Sequence, residues 1–166
     1  MCTLSNAPEF DPVTARAGGN EGNTWMSLAK PIPTLRGEEK TYFEEAKAGR
    51  LVYQRCGGCK AVISYPRVVC PSCMSEDLQF VPSAGRGTIY SHTTLYRAGH
   101  PAFADDVPYT IVLVDLDEGA RVIADLVDSQ PEDVAVGMAV EVLFDPVTED
   151  FTVPRFRLAD ATEAAR

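Results

Sequence analysis

The sequence is poor in the side chains and motifs that carry catalysis. Only two histidines occur, His92 within a strand-like alternation and His100 just before Pro101. Neither has a nucleophile motif around it: Gly-x-Ser-x-Gly, His-Glu-x-x-His and a reactive-cysteine context are all missing. Gly85-Arg86-Gly87 follows no strand-to-helix pattern, so a phosphate-cradling loop is missing too. The sequence offers no catalyst, and binding is the task that remains.

Long apolar runs are also lacking. Nothing approaches the ~18 residues that cross a membrane, and Met1 to Phe10 has no basic segment with an apolar one behind it. No membrane partner is expected, and the cytoplasm is the expected compartment. With 166 residues the chain has room for one ordinary domain or two small ones, and 45% hydrophobic with 23% charged residues describes a folded globular protein. The net charge of −9 is unevenly spread: residues 1–33 carry −1, residues 34–73 carry +3 and residues 74–166 carry −11. Phosphate backbones are held by Lys and Arg, so the acidic half is a poor nucleic-acid surface.

Residues 1–33 have no apolar period and end in Lys30-Pro31-Ile32-Pro33, which reads as an irregular tail. Within it, Trp25-Met26-Ser27-Leu28 is a short apolar cluster around the only tryptophan, expected to dock on its own domain or on a partner. Residues 34–49 read as an amphipathic helix, about 35–48, with acids early, Lys47 late and Gly49 as the stop. Residues 50–77 read as a metal-bound ribbon, with strands Leu51–Arg55 and Arg67–Val69 each leading to a cysteine pair. From residue 78 to about 160 strand follows strand: Leu78–Val81, Gly87–Tyr96, Tyr109–Leu116, Arg121–Val127, Met138–Phe144 and Phe151–Leu158. Short strands divided by turn residues, with no long helix between them, predict a small antiparallel Greek-key barrel such as the OB-fold. The fold class is mainly β.

Cys56-Gly57-Gly58-Cys59 and Cys70-Pro71-Ser72-Cys73 are two C-x2-C pairs. Each pair turns its two thiolates toward one point, and four sulfurs at tetrahedral corners satisfy zinc. A full set of four leaves no open position for water or substrate, so Cys56, Cys59, Cys70 and Cys73 predict a structural zinc site. Iron is the alternative metal, because the second pair also resembles a rubredoxin knuckle. Disulfides are the other reading, and a reducing compartment argues against them. Cys2 is unpaired and is given no role.

The carboxylates Asp105, Asp106, Asp115, Asp117 and Glu118 read as solvated turn formers. Five arginines stand out against the acidic background, Arg86, Arg97, Arg121, Arg155 and Arg157, and any of them could present its planar fork to a phosphate or carboxylate. Solvated barrel surface is the plainer reading of each.

The order of helix, strand, Cys56-Gly57-Gly58-Cys59, Pro66-Arg67, Cys70-Pro71-Ser72-Cys73, Gly85-Arg86-Gly87-Thr88-Ile89-Tyr90-Ser91 and then Pro108-Tyr109 through Asp115-Leu116-Asp117-Glu118-Gly119 carries a resemblance. Over about residues 38–145 the chain resembles the acyl-CoA-associated zinc-ribbon and OB-fold family, long catalogued as a domain of unknown function. The resemblance implies an N-terminal helix, a rubredoxin-like zinc ribbon and an OB barrel. It further implies a non-catalytic accessory subunit that assembles with a thiolase-fold enzyme, such as an acyl-CoA thiolase, an acyltransferase or a retro-aldol lyase of steroid side-chain breakdown, or with a CoA-ester hydratase. The CoA ester would be met only indirectly, where the barrel helps form the partner's acyl-CoA channel. Cys56, Cys59, Cys70 and Cys73 take the metal role, and no catalytic residue transfers. The competing reading is a nucleic-acid-binding zinc-ribbon and OB module, supported only by the basic stretch Arg50, Arg55, Lys60 and Arg67.

Overall fold

The computed structural model describes residues 30–159. Cys2, the Trp25-Met26-Ser27-Leu28 cluster and most of the expected tail lie outside the described residues. Residues 30–36 carry no regular structure. The helix α1 spans Glu38–Lys47, starting later than its sequence pattern suggests. The reason is Gly37, whose φ of 54° puts a left-handed break where the helix would otherwise have begun, and no side chain caps the first turn. The C-terminus follows expectation, with the Arg50 N–H closing onto the Glu45 carbonyl across Gly49.

Three strands form the ribbon sheet: β1 (Val52–Cys56), β2 (Val62–Ile63) and β3 (Leu78–Pro82), in the order β2-β1-β3, all antiparallel. The strand expected at Arg67–Val69 does not form, and Val62–Ile63 takes the place beside β1 instead. A side chain explains this. Gln54, buried in β1, donates from Nε2 to the Arg67 carbonyl (3.1 Å) and accepts from the Arg67 N–H at Oε1 (2.7 Å). One amide thus does what a ladder would have done, and the loop needs no strand geometry.

The remaining strands are β4 (Arg86–Leu95), β5 (Tyr109–Leu116), β6 (Arg121–Leu126), β7 (Ala139–Pro146) and β8 (Thr152–Leu158), closed in the order β4-β5-β6-β8-β7. Four seams are antiparallel; the fifth, β6 with β8, is parallel and is registered at Leu126 and Phe156 alone. Closure removes most sheet edges, as expected of this barrel size. The residues that β5 turns inward, Thr110, Val112, Val114 and Leu116, are all buried. Gly87 sits where β4 meets β5 most closely: a Cβ there would lie 2.3 Å from the Asp115 carbonyl oxygen, so only glycine permits the approach.

The ribbon is not a separate bead. Leu51 and Tyr53 belong to the same buried cluster as Ile89, Val112, Val114, Val140 and Phe156 of the barrel, and Tyr42 of α1 packs against it. The ribbon's own buried cluster is Cys56, Ile63 and Cys70. The first half of β6, paired with β5 along one edge, has no strand on its other edge and is met there by the loop after β2: the Arg121 N–H donates to Ser64 Oγ (3.0 Å) and the Ile123 N–H to Tyr65 Oη (3.1 Å). Two hydroxyls stand in for a missing strand.

Candidate metal centre

Each cysteine pair is built by the same backbone bonds. In the first, the Lys60 N–H donates to the Cys56 carbonyl (3.0 Å) and the Cys56 N–H to the Ala61 carbonyl (3.0 Å). In the second, the Met74 N–H donates to the Cys70 carbonyl (2.9 Å) and the Cys70 N–H to the Ser75 carbonyl (2.8 Å). The residue after each pair, Lys60 (φ 65°) and Met74 (φ 62°), takes the left-handed conformation that such a tight knuckle requires. Sequence spacing did not show this, because neither residue is glycine.

The four sulfurs lie within 4.8 Å of one another. Cys56 to Cys73 and Cys59 to Cys70 are both 3.6 Å apart at sulfur. A tetrahedron with metal–sulfur bonds of about 2.3 Å has edges of about 3.8 Å, so the donor set fits a four-coordinate metal. Cys56 and Cys70 are buried, and Cys59 and Cys73 are exposed.

The electrostatics lead to the same fit. The Cys59 amide N–H, helped by that of Gly58 and by the Cys73 and Cys70 thiols, brings Cys56 down to about 6 against the opposing effect of burial. Burial raises Cys70, yet the Ser72 and Cys73 amides outweigh it and lower it. The Ala61 N–H favours the Cys59 thiolate, but crowding by Cys73 and Cys70 holds that thiol up at about 12. Four thiols this close release a first proton readily and a last one reluctantly. A cation is what lets all four be thiolates together.

The other residues singled out by the sequence are scattered and mostly engaged. Arg121 forms a fork on Asp115 (2.6 and 2.9 Å) and stacks 3.4 Å over the Tyr90 ring, which holds the Asp115 carboxyl below its usual range through the Arg121 hydrogen bond. Arg155 lies 2.9 Å from Asp145 and 3.3 Å from Asp125, and Arg157 bonds Glu141. Arg86 and Arg97 have no ion pair among the described residues. Three of the carboxylates are not merely solvated turn formers: Asp106 pairs with Lys30 (2.6 Å), and the other two are Asp115 and Glu118. Asp115 is held by Arg121, and Glu118 reaches back to the β3–β4 turn, accepting from Ser83 Oγ (3.0 Å) and the Ala84 N–H (2.6 Å). His100 Nδ1 accepts from the Ala102 N–H and caps the 3-10 turn Pro101–Phe103; His92 lies on β4, opposite Val112. The basic stretch around the ribbon is also largely occupied: Arg50 pairs with Glu45, Arg55 reaches Tyr53 and Lys60 bonds the Gly57 carbonyl.

A four-cysteine ribbon sharing its core with a five-stranded barrel defines the class: a zinc-ribbon and OB-fold protein. Family models agree segment by segment, with "ChsH2, rubredoxin-like zinc ribbon domain" matching residues 43–79 and "ChsH2, C-terminal OB-fold domain" matching residues 80–145. The chain belongs to this ChsH2, or DUF35, family. Among curated relatives, a probable enoyl-CoA hydratase alpha subunit of Thermomonospora curvata is 38% identical over 130 residues, which are 78% of this chain and 40% of that protein. The chain thus spans well under half of that relative's length. A DUF35 domain-containing scaffold protein of Methanocaldococcus jannaschii is 35% identical over 60% of this chain and 71% of its own. Benzoylsuccinyl-CoA thiolase subunit BbsA of Thauera aromatica is 33% identical over 60% of this chain and 74% of its own. A solved structure described as Ltp2-ChsH2(DUF35) aldolase contains a chain that superposes with a TM-score of 0.70 at 37% identity, covering 78% of this chain and 100% of that one. Such homologues are scaffold-like proteins or subunits of hydratase, thiolase or aldolase assemblies. No helix among the described residues is long and apolar enough to cross a membrane.

Proposed function

We propose that this chain is a non-catalytic accessory subunit that binds and stabilises a thiolase-fold enzyme acting on CoA esters in the cytoplasm, as in lipid or steroid breakdown. The observation that carries the reading is the likeness, over 78% of this chain and the whole of the other, to a chain of the structure described as Ltp2-ChsH2(DUF35) aldolase. The thiolase subunit and the scaffold protein among its relatives support it. Cys56, Cys59, Cys70 and Cys73 would hold zinc, with iron the less apt metal; bound there, the ion supplies cross-linking and charge neutralisation, since four thiolates leave it no open position for substrate. What the chain's own residues contribute is shape. The knuckle amides orient the sulfurs, Leu51 and Tyr53 carry the ribbon into the barrel core, and Ser64 with Tyr65 fixes the ribbon against β6. The barrel wall would then complete the partner's acyl-CoA channel, with the reaction belonging to the partner.

Affinity isolation of the full chain from its native host, with zinc present throughout and mass spectrometry of the co-eluting protein, tests this. A thiolase-fold enzyme in stoichiometric amount is the expected result. Elution alone or with nucleic acid would overturn the reading, and a coloured product with the absorbance of iron–thiolate bonds would replace zinc with iron.

A further inference from the structure

Among the described residues, two buried side-chain polar atoms lack a hydrogen-bond partner, Ser129 Oγ and Arg155 Nε. Both residues line one cavity, of about 520 Å3, between the start of β5, the end of β6 and the turn Pro101–Phe103. A buried polar group without a partner costs free energy, so two of them around one space point to something that fills it. The volume is ordinary for a small-molecule pocket. None of the four cysteines lies in the lining, and Phe103, Ile111 and Leu126 give it apolar walls.

The charges in the lining narrow the occupant. Lys30 pairs with Asp106 at 2.6 Å, and Arg155 lies 3.3 Å from Asp125 and 2.9 Å from Asp145. The Asp145 contact is an ion pair through Nε that makes no aligned hydrogen bond, so the Nε–H is still to be satisfied. With both cations already matched and Asp128 adding a further carboxylate, an anion finds no free counter-charge. An ammonium group would suit Asp128 but not Arg155, whose Nε only donates. Ser129 Oγ can donate as well. An acceptor oxygen on an otherwise apolar, uncharged molecule answers both groups and the walls.

We propose that this cavity is a binding site for a small neutral molecule with an apolar body and a carbonyl-type acceptor, as in a ketone, ester or amide. The acceptor takes hydrogen bonds from Arg155 Nε and Ser129 Oγ, and the body lies against Phe103, Ile111 and Leu126. This inference does not depend on the accessory-subunit reading, since it concerns a site on the isolated chain.

The test uses Prodan, a neutral naphthalene with one ketone whose emission moves to the blue on leaving water. With the zinc-loaded full chain it is expected to bind saturably and shift to the blue. Dimethylaminonaphthalene, the same body without the ketone, should displace it about tenfold less well than unlabelled ketone of the same size. Ser129→Ala and Arg155→Lys each remove one donor and should weaken Prodan about three- to tenfold. Ile111→Asp places a charge in the apolar wall and should abolish binding, whereas Val68→Asp, exposed on the ribbon and outside the lining, should leave it unchanged. Every variant is checked for native circular dichroism and melting, and the conservative Ser129→Ala decides the matter if Ile111→Asp does not fold. Absence of a saturable shift overturns the proposal, as does binding that survives Ile111→Asp in folded protein or is indifferent to both donor substitutions. Equal displacement by the molecule without the ketone overturns the acceptor and with it the proposed ligand class.

Discussion

Gln54 shows how much one side chain decides in this fold. Its amide bonds both the N–H and the carbonyl of Arg67, fastening the loop before the second cysteine pair to β1. Gln54→Leu should keep the volume roughly constant and lose both bonds, lowering stability by about 1–2 kcal/mol in urea titration. Unchanged stability would mean the loop is held by other contacts. The convergence of the four cysteines was legible because it is written in their spacing. Gln54 was not, since a glutamine in a strand reads as an outward-facing polar residue until its partner 13 positions away is known. Lys60 and Met74 escaped for a related reason: their left-handed backbone is imposed by the knuckle and not by any preference of their own. The Gly85-Arg86-Gly87 motif lay between these cases, visible as a pattern but explained only by the closeness of Asp115 to Gly87.

At the scale of elements, α1 is tied down through its aromatics. Tyr42 meets Phe43 edge-on at 5.2 Å, and Phe43 meets Phe151 at 4.9 Å. Burial, with Tyr65 adding to it, pushes the Tyr42 phenol up to about 12. The unfolded chain ionises this group near 10, so its contribution is whole below pH 10 and drains away as the pH climbs toward 12. Tyr42→Phe should therefore match the parent closely at pH 7 and lose about 1 kcal/mol less than the parent by pH 11. Denaturation curves at the two pH values check this; a parallel decline in both proteins would show that the phenol ionises alike in the folded and unfolded chains, so that burial does not hold its proton. Element existence was largely legible from alternation and turn residues. The absence of a strand at Arg67–Val69 and the pairing of β3 with β1 were not, because each depends on contacts distant in sequence, and the start of α1 was not, because it is set by the positive φ that Gly37 adopts.

For the whole molecule, the shared core makes metal binding and barrel stability one quantity. The ribbon's own apolar cluster is two cysteines and Ile63, too little to pay for its order without a cross-link. A structural metal contributes on the order of 10 kcal/mol of apparent folding free energy in such modules. Chelation, or Cys70→Ser, should unfold the ribbon and lower the melting temperature of the barrel as well, because Leu51 and Tyr53 leave the common core. A metal-free chain with unchanged melting would show the cluster to be dispensable. The overall architecture was legible because helix, cysteine pairs and strands follow one another without interruption. The seam between β6 and β8 was not, since a parallel pairing registered at one residue pair leaves no local trace in either strand.

That seam leaves the edge of the front half of β6 away from β5 without a strand, and Ser64 and Tyr65 fill the gap with hydroxyls. An unpaired strand edge is where identical molecules add to one another, so the two hydroxyls also act as a guard against self-assembly. The guard is made of side chains alone. Removing it by Tyr65→Phe would free the Ile123 N–H while leaving the barrel core untouched, so solubility would fail before folding does.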